Sequence, residues 1–133
     1  MGKVAGEERK HHFIYLQIFK ALVDINPSHA LISLESIVAR FEMPGASIPG
    51  FADLSTIQER AGLFGPAELG EIITLVCDEI KIETLAGLTD GGERARDSVL
   101  RRNKLLPIFA ERRRRQPIRV YTIEELAGLQ VTI

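Results

Sequence analysis

The stretch Phe13–Ile25, FIYLQIFKALVDI, constrains the fold more than any other part of the chain. Read with helical periodicity, Phe13, Leu16, Lys20 and Val23 trace one side while Ile14, Ile18, Ala21, Leu22 and Ile25 trace another. The apolar surface is far wider than the stripe of an ordinary surface helix, which predicts a helix near the middle of the fold. Asn26-Pro27-Ser28 closes it, because proline lacks a donor and biases the residue before it away from helix. His29–Ile32 then reads as a short extended stretch. After it Ser33 caps a second helix, with Leu34, Ile37, Val38 and Phe41 on one face.

Residues 43–55, MPGASIPGFADLS, hold two prolines and two glycines and read as a loop. Ser55–Leu63 fits a third helix, with Ser55 as its cap and Gln58 three residues on, the spacing of a capping box. Gly65-Pro66 opens a fourth, in which Leu69, Ile72, Ile73, Val76, Cys77 and Ile80 share a broad face. Cys77 within that set reads as a packed small hydrophobe rather than a nucleophile. Lys81–Leu88 reads as one short strand or a clipped hairpin. Thr89 or Asp90 caps the next helix, whose core contacts are Ala95, Val99 and Leu100; Pro107 kinks or restarts it, and Ile108–Arg115 continues helical until Gln116-Pro117. The end changes character: IRVY at 118–121 reads as a strand, Thr122 with Glu125 as a capping box for a short helix, and LQVTI as a final alternating strand.

Length and charge bound the class. The 133 residues carry 17 Lys and Arg against 18 Asp and Glu, a formal net charge of -1, and suit one domain by the usual ~100 to 200 residues. The total excludes a uniformly basic protein, but it hides a separation of sign. Residues 1–93 hold 7 basic and 14 acidic side chains, whereas residues 94–119 hold 10 basic and 2 acidic. The basic segment comprises Arg94, Arg96, Arg101, Arg102, Lys104, Arg112, Arg113, Arg114, Arg115 and Arg119. Arginine offers a planar fork that matches phosphate or carboxylate bidentately, so the bias suits an anionic partner. The other reading is a solvated helix face, with four consecutive arginines where cations favour a helix C-terminus. One cysteine excludes a disulfide within the chain and points to the reducing cytoplasm. No apolar run approaches the ~18 residues of a membrane span, and the start MGKVAGEERKHH lacks the apolar core of a secretory signal.

Chemistry-bearing clusters are sparse. His11 and His12 are adjacent, and neighbours on a helix point ~100 degrees apart, so they do not easily chelate one metal. His29 stands beyond the proline break. Asp78-Glu79 and Glu124-Glu125 are adjacent acids of the kind that helix ends normally solvate. Gly87–Gly92, GLTDGG, reads as a turn; it could hold an anion on free N–H groups, but it lacks the Gly-Lys-Ser/Thr of a nucleotide loop. These observations lead to the expectation of a non-enzyme without cofactor or metal.

The piece LTDGGERARDSVL, Leu88 to Leu100, resembles the exit of the wing in winged helix-turn-helix domains, where a strand ends in a glycine-bearing turn that caps a long helix. The resemblance covers about residues 10–103. It implies a fold that is mainly α with a small β component, a winged-helix-like domain followed over 104–133 by a basic helix and a C-terminal strand-helix-strand extension. The family's recognition helix would be Ala67–Ile80, yet that helix carries Glu68, Glu71, Asp78 and Glu79 and no cation, which repels phosphates. Ser55–Leu63 is then the reading element, with Thr56, Gln58 and Arg60 for bases and Arg94, Arg96, Arg101, Arg102, Arg112, Arg113, Arg114, Arg115 and Arg119 for phosphates. The function so implied is a small cytoplasmic DNA-binding regulator of transcription, its partners double-stranded DNA and a second copy through the C-terminal segment. The alternative is a protein-interaction module that binds no DNA, an adaptor or a subunit of a larger complex.

Overall fold

The computed structural model describes residues 2–42, 46–47, 50–115, 117 and 122, with the helical backbone alone over 2–9. Among them are α1 (Gly2–Ile25), α2 (Pro27–Ala39), α3 (Phe51–Arg60), α4 (Pro66–Glu79), a 3-10 turn (Ile82–Thr84) and α5 (Asp90–Arg114), and no strand. The expected helical character is present; the strand-helix-strand extension falls on residues 118–133, which apart from Thr122 lie outside the described residues. The elements divide into two compact units, one of Met1–Phe41 with Ile72–Asn103 and one of Glu42–Glu71 with Lys104–Ile133.

In the first unit α1 packs on α2. The Asn26 side chain caps α2 by accepting the His29 N–H at 3.1 Å, and Pro27 takes the first helical position, where its missing donor would have been unsatisfied anyway. The extended reading of His29–Ile32 and the cap at Ser33 are therefore corrected: the proline that ends α1 also starts α2. Buried Ser28 accepts the Thr89 amide at 2.9 Å, and the Thr89 hydroxyl accepts the Gly92 amide at 3.3 Å. The cap of α5 is thus tied to the first turn of α2. A Cβ on Gly92 would meet Ser28 Oγ at 2.7 Å and Ser28 Cα at 3.0 Å, so glycine here serves close helix approach.

The core of this unit is apolar. Leu31 and Val99 are 0% exposed and Ile82 2%, and Val23, Ala30, Ile73, Cys77, Ile80 and Ala95 are buried as well. Ile82 reaches it because Lys81 ends α4 with a left-handed φ of 51° and the chain tightens into the 3-10 turn. No strand forms at 81–88. Ile82 and Leu85 are three residues apart, which is the period of that turn and not of a strand. The apolar breadth of α1 is real, but its burial is not: Phe13 is 61% and Ile25 79% exposed, Ile14, Tyr15, Ile18 and Leu22 lie open too, and Val23 is the buried member.

In the second unit α3 begins at Phe51, four residues before the expected start. Gly50 at φ +78° leads into it, and the Leu54 amide donates to the Gly50 carbonyl. Ser55 is consequently inside the helix, where its hydroxyl donates to the Ala52 carbonyl at 2.9 Å instead of capping. Gly62, at φ +69°, closes α3: its amide donates to the Glu59 carbonyl and the Leu63 amide to the Gln58 carbonyl, a pairing that satisfies the last carbonyls. The helix α5 runs through Pro107 to Arg114 without the expected restart.

Candidate functional site

An apolar groove of about 500 Å³ lies in the first unit. Its walls are Tyr15, Phe19 and Leu22 of α1, Leu34 and Ile37 of α2, and Ile72 of α4. The volume is within the ~300 to 1,000 Å³ of small-molecule sites. Its polar edge includes His12 and His29, the latter with Nδ1 3.4 Å from the Asn26 amide nitrogen. A surface built this way takes hydrocarbon along its length and fixes a polar end by few contacts. The helical faces that make it are the ones whose apolar breadth was read as core.

The residues expected to contact bases and phosphates are differently employed. On α3, Thr56 is buried and its hydroxyl donates to the Ala52 carbonyl at 2.9 Å, while Gln58 is half-buried and Arg60 exposed. In the first unit Arg94 and Arg101 are exposed, Arg96 pairs with Asp97 at 3.2 Å, and Arg102 lies 3.7 Å from Glu35 on α2. In the second unit Arg112 and Arg114 are exposed, Arg115 chelates one Glu111 oxygen at 2.8 and 3.0 Å, and Arg113 is turned inward. The Arg113 guanidinium stands 3.0 Å from Glu59 and donates to the Ser55 hydroxyl at 2.9 Å. Part of the arginine segment therefore answers the chain's own carboxylates. Arg119 lies outside the described residues.

Cys77 stays a thiol: burial first, then the charges of Asp78 and Glu83, push it up from 9.0 to about 11. It has the packing role expected of it, with 5% exposure.

The sequence profile of the fatty acid desaturase family matches residues 1–126. The chain belongs to the fatty acid desaturase family. It is 28% identical over 100 residues to DesA1 of Mycobacterium tuberculosis, covering 74% of this chain and 30% of that relative. It is 28% identical over 105 residues to stearoyl-[acyl-carrier-protein] 9-desaturase 5 of Arabidopsis thaliana, and 26% identical over 105 to an acyl-[acyl-carrier-protein] desaturase of Cucumis sativus. Each covers 74% of this chain and 26% of the plant protein, so the chain spans about a quarter to a third of the length of the curated relatives it matches.

Membership in a desaturase family overturns the winged-helix resemblance, and with it the DNA-binding regulator, the double-stranded DNA partner and the expectation of a non-enzyme family. The adaptor reading is not supported either, and the second copy through the C-terminal segment concerns residues that lie outside the described ones. The physical reason is plain in the fold: the supposed wing is a 3-10 turn, and the supposed recognition helix α4 buries Ile73 and Cys77 in the core. A capped helix after a tight turn satisfied the resemblance at Leu88–Leu100 without the fold that gives it meaning. No helix among the described residues is long and apolar enough to cross a membrane.

One pair was passed over. Glu8-Arg9-Lys10-His11 places Glu8 and His11 three positions apart on α1, hence one above the other on that helix. A Glu-x-x-His pair projecting into a helical bundle is the arrangement by which carboxylate-rich bundles hold paired iron or manganese ions. The adjacency of His11 and His12 drew attention to the wrong neighbour; the i, i+3 spacing was the signal. The described His11 ring is exposed and lies 6.5 Å from that of Tyr15. Among the described residues no group of three or more His, Cys, Asp or Glu stands close enough to hold a metal ion. The described residues do not make a complete metal centre.

Proposed function

We propose that the chain takes part in the desaturation of a fatty acyl chain presented by a carrier protein, and that the groove between α1, α2 and α4 receives the hydrocarbon. The match to the desaturase family over residues 1–126 carries this reading. The names of the plant relatives supply the carrier-protein substrate class. Desaturation takes two protons and two electrons in all from adjacent methylenes, a task for a redox metal or organic cofactor with an external oxidant rather than for any side chain. What the described residues contribute is positioning: an apolar wall that binds the chain and excludes water from it.

The arginine segment keeps a role with a changed partner. Lys104, Arg112 and Arg114 are exposed and form no ion pair among the described residues. Such cations attract an anionic group on the partner that presents the acyl chain. The lone, protonated Cys77 suits a reducing compartment, the cytoplasm being the simplest.

The test is calorimetric titration of the metal-free protein with stearoyl-carrier protein and with the same carrier lacking an acyl chain. Each buried methylene adds about 0.8 kcal/mol, so burying only a few should separate the two by more than about tenfold. Leu22→Asp should abolish the difference while leaving the helical circular dichroism intact. Equal binding of both carriers would end the reading of the groove as the acyl site.

A further inference from the structure

We infer that the donors these 133 residues offer do not fit a pair of metal ions, so that the chain retains no such pair by itself. The inference rests on the desaturase reading. In helical bundles that hold paired iron or manganese ions, two helices give one Glu each and two others give a Glu-x-x-His each. The sequence has three histidines, His11, His12 and His29, and three positions before them stand Glu8, Arg9 and Asn26. Only His11 closes such a pair, and this holds for the whole sequence.

Substitute donors do not make up the shortage. His29 belongs to the turn between α1 and α2, where its backbone N–H is held by Asn26 Oδ1 at 3.1 Å and its ring faces the Asn26 amide. An amide that caps a helix is neither charged nor free to bridge metal ions. His12 has Arg9 one turn before it, a cation that opposes metal at that position. Cys77 is buried among the apolar residues of α4, and its thiol would have to lose its proton there to ligate. The described residues contain no cluster of three or more ligating side chains. Two donors on α1 leave a first-row divalent ion most of its coordination to water, whereas even an open catalytic site supplies about three protein ligands.

Cobalt(II) titration tests this without asking for activity. Purified protein is equilibrated with excess cobalt(II), desalted, and analysed for metal per chain by mass spectrometry. The expected result is well under one ion retained per chain. Equilibrium titration before desalting should show weak binding that His11→Ala removes and that His12→Ala and His29→Ala leave within about twofold. Retention of a pair of ions per chain overturns the inference, as does weak binding indifferent to His11→Ala. The stearoyl-carrier titration is done without metal, so loss of one proposal leaves the other standing or falling on its own result.

Discussion

In the unit of Met1–Phe41 and Ile72–Asn103 the buried residues are overwhelmingly apolar, with Leu31, Ile82 and Val99 withdrawn from water. In the unit of Glu42–Glu71 and Lys104–Ile133 the described buried residues are Thr56, Glu59, Gly70 and Ala110, and the largest of them is a carboxylate. The first kind of burial is non-directional and grows with area, about 25 cal/mol per Å². The second depends on particular partners. A carboxylate that is 3% exposed persists because the Arg113 guanidinium is 3.0 Å away, though the approach is not angled as a hydrogen bond and both Glu59 oxygens lack a bonded donor. Gly65 belongs to the same arrangement, since a Cβ there would stand 2.6 Å from Glu59 Cγ. The first unit should thus tolerate changes that conserve volume, and the second should tolerate changes that conserve charge pairing. It is also the first unit that holds the groove, which follows from its apolar helices being broader than its core requires.

The largest effect should come from truncating the first core. Leu31→Ala removes a side chain with no exposure, and such substitutions cost about 2–5 kcal/mol by lost transfer energy and the cavity left behind. Urea unfolding measures it. A loss below about 1 kcal/mol would mean that this unit is not held by its core and would remove the contrast.

Breaking the ion pair comes next. Arg113→Ala leaves Glu59 buried without a counter-charge and should cost roughly 1–3 kcal/mol, discounted because the Arg113 side chain is itself 36% exposed. The double variant Glu59→Leu/Arg113→Leu should recover most of that loss, since apolar replacement of a buried pair is often neutral or better. If the double variant is as damaged as Arg113→Ala, packing around Glu59 matters more than pairing and the second unit resembles the first.

What was readable in the sequence divides along the same line. The apolar positions of α4 and α5 were legible, because Ile73, Cys77, Ile80, Ala95 and Val99 recur with helical spacing and burial follows periodicity. So were a cap at Thr89 or Asp90, which the structure gives to Thr89, and the break before Pro27, whose signals are local. The Glu59–Arg113 pair was not, since nothing in a sequence joins residues 54 positions apart. Pro27 and Ser55 misled because each residue type has two uses: proline ends one helix and opens another, and serine caps or bonds back to the preceding turn. Of the candidate site, the Glu8 to His11 spacing was legible and went unweighed. The groove was not legible, since an apolar face looks the same whether it meets protein or ligand. Family membership lay in a match over residues 1–126, which no single residue or turn carries in the way a cap or a helix break does.

A smaller effect should appear at alkaline pH in the first unit. Folding raises the Cys77 thiol from 9.0 to about 11, so between those values the unfolded chain loses a proton that the folded one keeps. By linkage the contribution of this thiol to stability is constant below pH 9 and is lost as pH rises toward 11. Lysines and tyrosines titrate there too, so the readout is the difference between the unmodified protein and Cys77→Ala, which should narrow across that window. A difference independent of pH would show that Cys77 acts through volume alone.

The smallest effect probes the one polar link inside the apolar unit. Ser28 is buried, and its Oγ accepts the Thr89 amide that begins α5. Ser28→Ala removes the acceptor but leaves Thr89, an exposed residue, within reach of water, so the loss should be about 1 kcal/mol. Gly92 sets the direction of the control: loss of the hydroxyl removes the 2.7 Å contact of its position with Ser28 Oγ but leaves Cβ at 2.9 Å and Cα at 3.0 Å, so Gly92→Ala should remain costly in the Ser28→Ala background and only slightly less so than alone. Thermal unfolding of the two single variants and the double variant measures that coupling. A loss from Ser28→Ala larger than that from Arg113→Ala would show that a directed polar contact governs the first unit as well, and the distinction between the two units would then rest on Glu59 alone.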